Sequence, residues 1–215
     1  AAVALLAVEQ VGVAELRGAA AELRAADELL GGLRGLRTML GSGGALDFLA
    51  AAAATARDAV AAVERGLGSL GDALPPAEVE SVNAALIELK DAAWSVERDR
   101  LRAARGVTLL GGDELPVRAA AGYLSLHQAL SAIDRLEVRG RDSAGIEVIV
   151  TGHGLDLDDP SVLAQLDERA NPLFTTGSVR RRGDALVFVY KAAAEIGELG
   201  DNTAVLRAAI AEDAL

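Results

Sequence analysis

The side chains able to do chemistry are few. The chain contains no cysteine. Disulfides, thiolate metal sites, iron–sulfur clusters and a cysteine nucleophile are therefore excluded from it, and this fits a reducing compartment. There are two histidines, His127 and His153. A metal site needs three or more converging ligands, and neither histidine has partners at such spacing, so no metal and no cofactor is expected. Asp156-Leu157-Asp158-Asp159 has the charge of a calcium loop without its glycine and closing glutamate. It reads as a solvated loop and helix cap. Gly41-Ser42-Gly43-Gly44 could cradle a phosphate, but no strand precedes it and no Gly-Lys-Ser/Thr follows, so a linker is expected. Arg180-Arg181-Arg182 is a basic cluster with no aromatic beside it for base stacking, and a solvated hairpin tip is expected.

One segment stands apart. Leu136-Glu137-Val138-Arg139-Gly140-Arg141-Asp142-Ser143-Ala144-Gly145-Ile146 joins a helical pattern to an alternating one. Gly140 permits a backbone shape that other residues resist. Asp142 can accept hydrogen bonds from backbone amides and fix the turn. Arg139 offers a guanidinium fork suited to a carboxylate. On spacing alone, this is a structural turn.

The elements that must hold this segment follow from periodicity. A helix from Tyr123 to about Glu137 carries Tyr123, Leu126, Leu130 and Ile133 on one face. Ile146, Val148 and Val150 then alternate as a strand that Gly152 and Gly154 end. Asp159 caps and Pro160 opens a short helix to about Ala170. Leu173–Arg181 and Leu186–Tyr190 read as antiparallel strands about a Gly183 turn. Gly200-Asp201-Asn202-Thr203 opens a last helix with Val205, Leu206 and Ile210 apolar.

The first half is helical throughout. Val13–Leu40 carries Leu16, Leu23, Leu30, Leu33 and Leu40, with a kink or break expected around Gly31, Gly32 and Gly35. Ala45–Leu70 carries Leu46, Leu49, Ala53, Ala56, Val60, Val63, Leu67 and Leu70 on one stripe. A third helix starts at Pro75-Pro76, carries Val79, Val82, Leu86, Leu89, Ala93 and Val96, and is expected to end at Gly106. Trp94 lies off that stripe as a flank-packing aromatic. The linkers, Gly41–Gly44 and Gly68–Pro76, are short, so consecutive helices should run antiparallel.

The run Arg139-Gly140-Arg141-Asp142-Ser143-Ala144-Gly145-Ile146, preceded by Leu136-Glu137, resembles the Leu-Glu-Tyr-Arg-Gly-Tyr-Asp-Ser-Ala-Gly signature of class II glutamine amidotransferases. Its Asp-Ser-Ala-Gly is similar to the glutamine–fructose-6-phosphate aminotransferase branch (glucosamine-6-phosphate synthase type). The amidophosphoribosyltransferase branch usually carries Gln-Asp-Ala-Ala-Gly there. The resemblance spans residues 121–215. Val138 and Arg141 stand where the family usually has tyrosines. By this resemblance Arg139, Gly140, Asp142, Ser143 and Gly145 support the wall of a glutamine pocket, and none is catalytic. The family's chemistry uses an N-terminal cysteine whose own α-amine is the base, an Arg-Trp segment for the glutamine carboxylate and an Asn-Gly oxyanion hole. None of these occurs in the chain. They are expected before Ala1 and after Leu215.

The expected fold class is therefore α+β. Residues 1–112 form an antiparallel helical bundle, an insertion. Residues 113–215 form part of an N-terminal-nucleophile-hydrolase layer, a partial glutamine amidotransferase domain. The resemblance implies part of the glutaminase domain of a glutamine-dependent sugar-phosphate aminotransferase, with L-glutamine and a sugar phosphate as substrates. A non-catalytic helical scaffold module and another class II amidotransferase, such as an amidophosphoribosyltransferase, are the alternatives. The chain of 215 residues has a net charge of −11. That argues against nucleic acid or an anionic membrane as a partner. The hydrophobic share is 51% but aromatics are 3%, an Ala/Leu/Val composition that favours helix. The helix-like run Ala1–Val8 lacks a basic region before it, and Glu212–Leu215 lacks a stop signal, so a piece of a longer cytoplasmic protein is expected. Homo-oligomerisation stays open.

Overall fold

The computed structural model describes residues 12–41, 43–70, 75–112, 115–136, 142–193 and 200–215. It is mostly helical, with one small antiparallel sheet, an α+β chain. Two compact units divide it. The first runs to Thr108 and includes Leu115–Ala121; the second is Leu109–Glu114 with Gly122–Leu215. The division thus falls inside a helix rather than after Gly112. The expected helical run Ala1–Val8 lies outside the described residues, as do Arg139 and Gly140.

In the first unit the helices are α1 (Val13–Leu30), α2 (Gly32–Gly41), α3 (Ala45–Leu70) and α4 (Pro76–Trp94). The break expected around Gly31, Gly32 and Gly35 is present and falls at Gly31-Gly32. Gly31 is extended, Gly32 has φ +63°, and a Cβ on Gly35 would lie 2.1 Å from the Leu30 carbonyl. Only glycine lets α2 start this close to the end of α1. The break also shifts the buried face: Leu36 and Met39 are buried, whereas Leu30, Leu33 and Leu40 are only half-buried. The stripe on α3 is as expected at Ala53, Ala56 and Val60.

Leu16, Ala19 and Ala20 of α1, Val60 of α3, and Val82, Ala85, Leu86 and Leu89 of α4 form one core. The alanines let the helix backbones approach closely. Ion pairs report the helix directions. Glu64 bonds Lys90 and Arg57 bonds Glu97, so partner numbers run in opposite senses and α3 lies antiparallel to α4.

Three expectations fail here. Gly106 does not end the third helix. The chain passes from α4 through a π-helical turn (Ser95–Leu101) into α5 (Arg102–Gly111). Val107 and Leu110, fully buried, reward continuing the helix, and the left-handed residue that stops it is Gly112, φ +79°. Gly68 is likewise helical, so the expected Gly68–Pro76 linker is shorter. Trp94 is 61% exposed, less packed than a flanking aromatic should be.

In the second unit the elements are α6 (Ala120–Leu136), β1 (Ala144–Val150), α7 (Pro160–Glu168), β2 (Val179–Arg182), β3 (Ala185–Ala192) and α8 (Asp201–Ala211). The strand order is β1-β3-β2, all antiparallel, with Ile146 opposite Tyr190 and Arg181 opposite Leu186. β1 alternates, with Ile146 and Val148 inward and Glu147 and Ile149 outward. Leu130 of α6, Leu166 of α7, Leu186, Phe188 and Tyr190 of β3, and Leu206 and Ile210 of α8 share a core. α8 packs on β3 and β1.

The second strand is shorter than the expected Leu173–Arg181. The Asn171 side chain accepts from the Leu173 N–H, Phe174 is left-handed at φ +54°, and Ser178 N–H bonds Thr175 O. Asn-Pro and Thr-Thr-Gly turn chemistry thus overrides the apolar residues of that stretch. The hairpin closes through Gly183 at φ +62°, as its two-residue loop requires. No described helix is long and apolar enough to cross a membrane.

Candidate functional site

The signature lies where α6 hands over to β1. Of its residues, Asp142 and Ser143 are exposed ahead of β1, and Gly145 sits in the strand opposite Lys191. A Cβ on Gly145 would stand 3.4 Å from the Tyr190 carbonyl oxygen, at the near edge of ordinary van der Waals contact. The Asp142 carboxylate bonds no other described residue, so the turn-fixing role expected of it has no described partner.

Behind the signature, α6 and α8 share a polar cluster. Thr203, 1% exposed, donates its hydroxyl to the Asp134 carboxylate. The Gly200 carbonyl is also 3.0 Å from that hydroxyl, but it already accepts the Ala204 N–H. A hydroxyl has one proton, and the carboxylate is the stronger acceptor. Arg207 approaches the other oxygen of Asp134, the Ser131 hydroxyl and His127 Nδ1, each at 3.4 Å.

Ser131, His127 and Asp134 are the residue types of a hydrolytic triad, but the geometry assigns them another role. A guanidinium only donates, so His127 Nδ1 accepts from it and the ring proton falls on Nε2, facing Ser131 Oγ at 3.5 Å. A protonated Nε2 is no base for that hydroxyl.

A second cluster anchors the chain end of this unit. Arg169 bonds both oxygens of Asp213 at 2.8 and 2.6 Å and donates to Gly177 O at 2.8 Å. The Tyr190 hydroxyl donates to Asp213 at 2.6 Å. Burial alone would raise the Asp213 carboxyl, but the Arg169 and Tyr190 bonds outweigh it and hold the group below its usual range. Tyr190 is pushed well above the ordinary phenol range, first by burial and then by the neighbouring carboxylate.

The remaining candidates resolve into structure. His153 accepts from the Leu155 N–H at Nδ1 and meets Asp184 O at 2.9 Å through Nε2, pinning its turn to the hairpin tip. Asp159 accepts from Ser161 N and Oγ and caps α7, and these bonds lower its carboxyl, the Ser161 hydroxyl first. Arg181 bonds Leu157 O. The arginine cluster does have an aromatic beside it, contrary to expectation: the fold sets Arg180 4.2 Å over the Phe174 ring. Phe174 lies six residues back, and only the turn at Asn171–Gly177 brings it there. Among the described residues no group of three or more histidines and carboxylates could hold a metal ion.

The clusters at Asp134 and Asp213 were not singled out from sequence. Their members are scattered singly, and Thr203 reads as an ordinary cap residue. Compared with known proteins, the chain matches no family model, no curated protein and no solved structure.

Proposed function

We propose that this chain supplies part of the glutaminase domain of a glutamine-dependent sugar-phosphate aminotransferase, with its helical first unit an insertion. The observation that carries the reading is the signature Leu136–Ile146 at a helix-to-strand junction. An amphipathic helix precedes it, an antiparallel three-stranded sheet follows, and α8 closes the order. In this reading the layer is of the N-terminal-nucleophile-hydrolase kind. Arg139, Gly140, Asp142, Ser143 and Gly145 support the pocket wall, while the attacking cysteine and the oxyanion hole come from sequence outside this chain.

The parent protein hydrolyses glutamine and passes the ammonia to a ketose phosphate. The test uses the protein encoded with its flanking sequence. It should release glutamate from glutamine. Asp142→Ala should lower kcat/KM by about tenfold, the scale of a displaced pocket wall. A protein that releases no glutamate overturns the reading.

A further inference from the structure

We infer that the exposed face of the helix running through α4 and α5 docks a second copy of this chain, antiparallel and crossing at Trp94. Glu80, Ala84, Ile87, Asp91, Trp94 and Arg98 recur at alternating steps of four and three, and all of them are exposed. Ile87 is 59% exposed and Trp94 61%, an apolar centre that the core of the first unit leaves uncovered. Beyond the π-helical turn, Arg102 and Arg105 continue the exposed side. The charges beside this stripe are engaged within the unit: Glu88 with Arg24, Lys90 with Glu64, Glu97 with Arg57 and Arg100 with Asp27. On the stripe itself, Glu80, Asp91, Arg98, Arg102 and Arg105 form no ion pair or side-chain hydrogen bond with any described residue.

The order of charge along the stripe selects the partner. Acid lies before Trp94, at Glu80 and Asp91, and base lies after it, at Arg98, Arg102 and Arg105. A second copy laid antiparallel over Trp94 therefore sets each acidic half on a basic half. Asp91 lies three residues before Trp94 and Arg98 four after it, so Asp91 of each copy comes beside Arg98 of the other. Ile87 meets the aliphatic stem of Arg102 from the second copy. A parallel pair would set acid on acid and base on base. The contact is twofold symmetric, so one patch serves both copies. Exposed ion pairs contribute little free energy, so Trp94 and Ile87 carry the affinity and the charges fix the direction. None of this depends on the glutaminase reading.

The test is analytical ultracentrifugation of the full chain over a concentration series. A single helix pair makes a small interface, so the monomer should pass to dimer with a dissociation constant on the order of 10 μM. Trp94 is the only tryptophan in the chain, so its emission should move to shorter wavelength as the mass doubles. Trp94→Ala should raise the dissociation constant by about thirtyfold or more, the scale of a central aromatic anchor. The charge pair is tested by mixing. Asp91→Arg and Arg98→Asp should each weaken the dimer by about tenfold alone, because each places like charges together. An equimolar mixture of the two should dimerise as well as the wild type, since every Arg then meets an Asp, and that recovery shows both variants to be folded. A chain that stays monomeric throughout the series overturns the inference. So does a dimer that Trp94→Ala leaves unchanged, a tryptophan emission that ignores dimerisation, or a mixture no more dimeric than its components.

Discussion

Among single residues, Asp213 holds the most. It joins Arg169, from the end of α7, to Tyr190, in the central strand, and its own oxygens also take the Leu215 N–H. The Arg169–Asp213 pair is 22% and 10% exposed at its side chains, well shielded from water. Asp213→Asn keeps the shape and removes the charge. It should destabilise the second unit by about 2 kcal/mol, the range for a hydrogen bond to a charged partner, read from urea unfolding. The pH dependence has a definite sign. The folded carboxyl lies below its unfolded value, so its stabilisation is complete above that value and is lost as pH falls through the folded one. Stability should therefore fall below about pH 4, and the Asn variant should flatten that limb. At the other extreme, Tyr190 stays protonated in the fold where an unfolded tyrosine ionises, so its contribution fades above about pH 10. An acid limb identical in the wild type and the variant would deny Asp213 this role.

Elements were more legible than clusters because periodicity is local. The α3 stripe at Ala53, Ala56 and Val60 and the alternation of Ile146 and Val148 can be read from spacing, since each depends only on its own helix or strand meeting one apolar neighbour. The end of the third helix was not legible. Gly106 has the look of a stop, but the burial of Val107 and Leu110 belongs to tertiary packing and overrides it. The π-turn at Ser95–Leu101 was hidden for a similar reason. Its i→i+5 bonding brings residues five apart onto one face, and Ser95 and Arg100 are five apart. Both reach Asp27 on α1: Ser95 Oγ at 2.9 Å, and Arg100 through Nε at 2.8 Å and Nη2 at 3.0 Å. The Arg100 bond, opposed by burial, holds the Asp27 carboxyl down. We take the π-turn to be the helix's accommodation to this carboxylate. Asp27→Asn should cost about 1 kcal/mol, reduced from the buried value because the pair is partly solvated. In that variant the amide exchange of Ser95–Leu101 should rise above that of Pro76–Trp94. Equal protection in both segments would show that the turn owes nothing to Asp27.

At the scale of the whole molecule, the reading turns on what the chain holds and what it does not. A net charge of −11 over 215 residues disfavours a polyanion, and two of the three clustered arginines are engaged within the fold, Arg180 on Phe174 and Arg181 on Leu157 O and Asp158. The candidate site was legible only as a contiguous run of residues. The part that three-dimensional structure adds, the grip of Thr203 and Arg207 on Asp134, joins positions some seventy residues apart and leaves no pattern in the sequence. The same scale yields the last prediction. Glutamine hydrolysis by the proposed chemistry needs a thiolate, and the chain has no cysteine. Its serine–histidine contact, Ser131 with His127, has the ring proton on the wrong nitrogen to activate the hydroxyl. This chain alone should therefore release no glutamate above the rate in buffer, measured with a coupled glutamate dehydrogenase assay. Release at an enzymic rate would place a nucleophile among its own hydroxyls. Ser131→Ala and His127→Ala would then be the variants to distinguish that activity from a contaminant, and the cysteine-dependent reading would fall with the result.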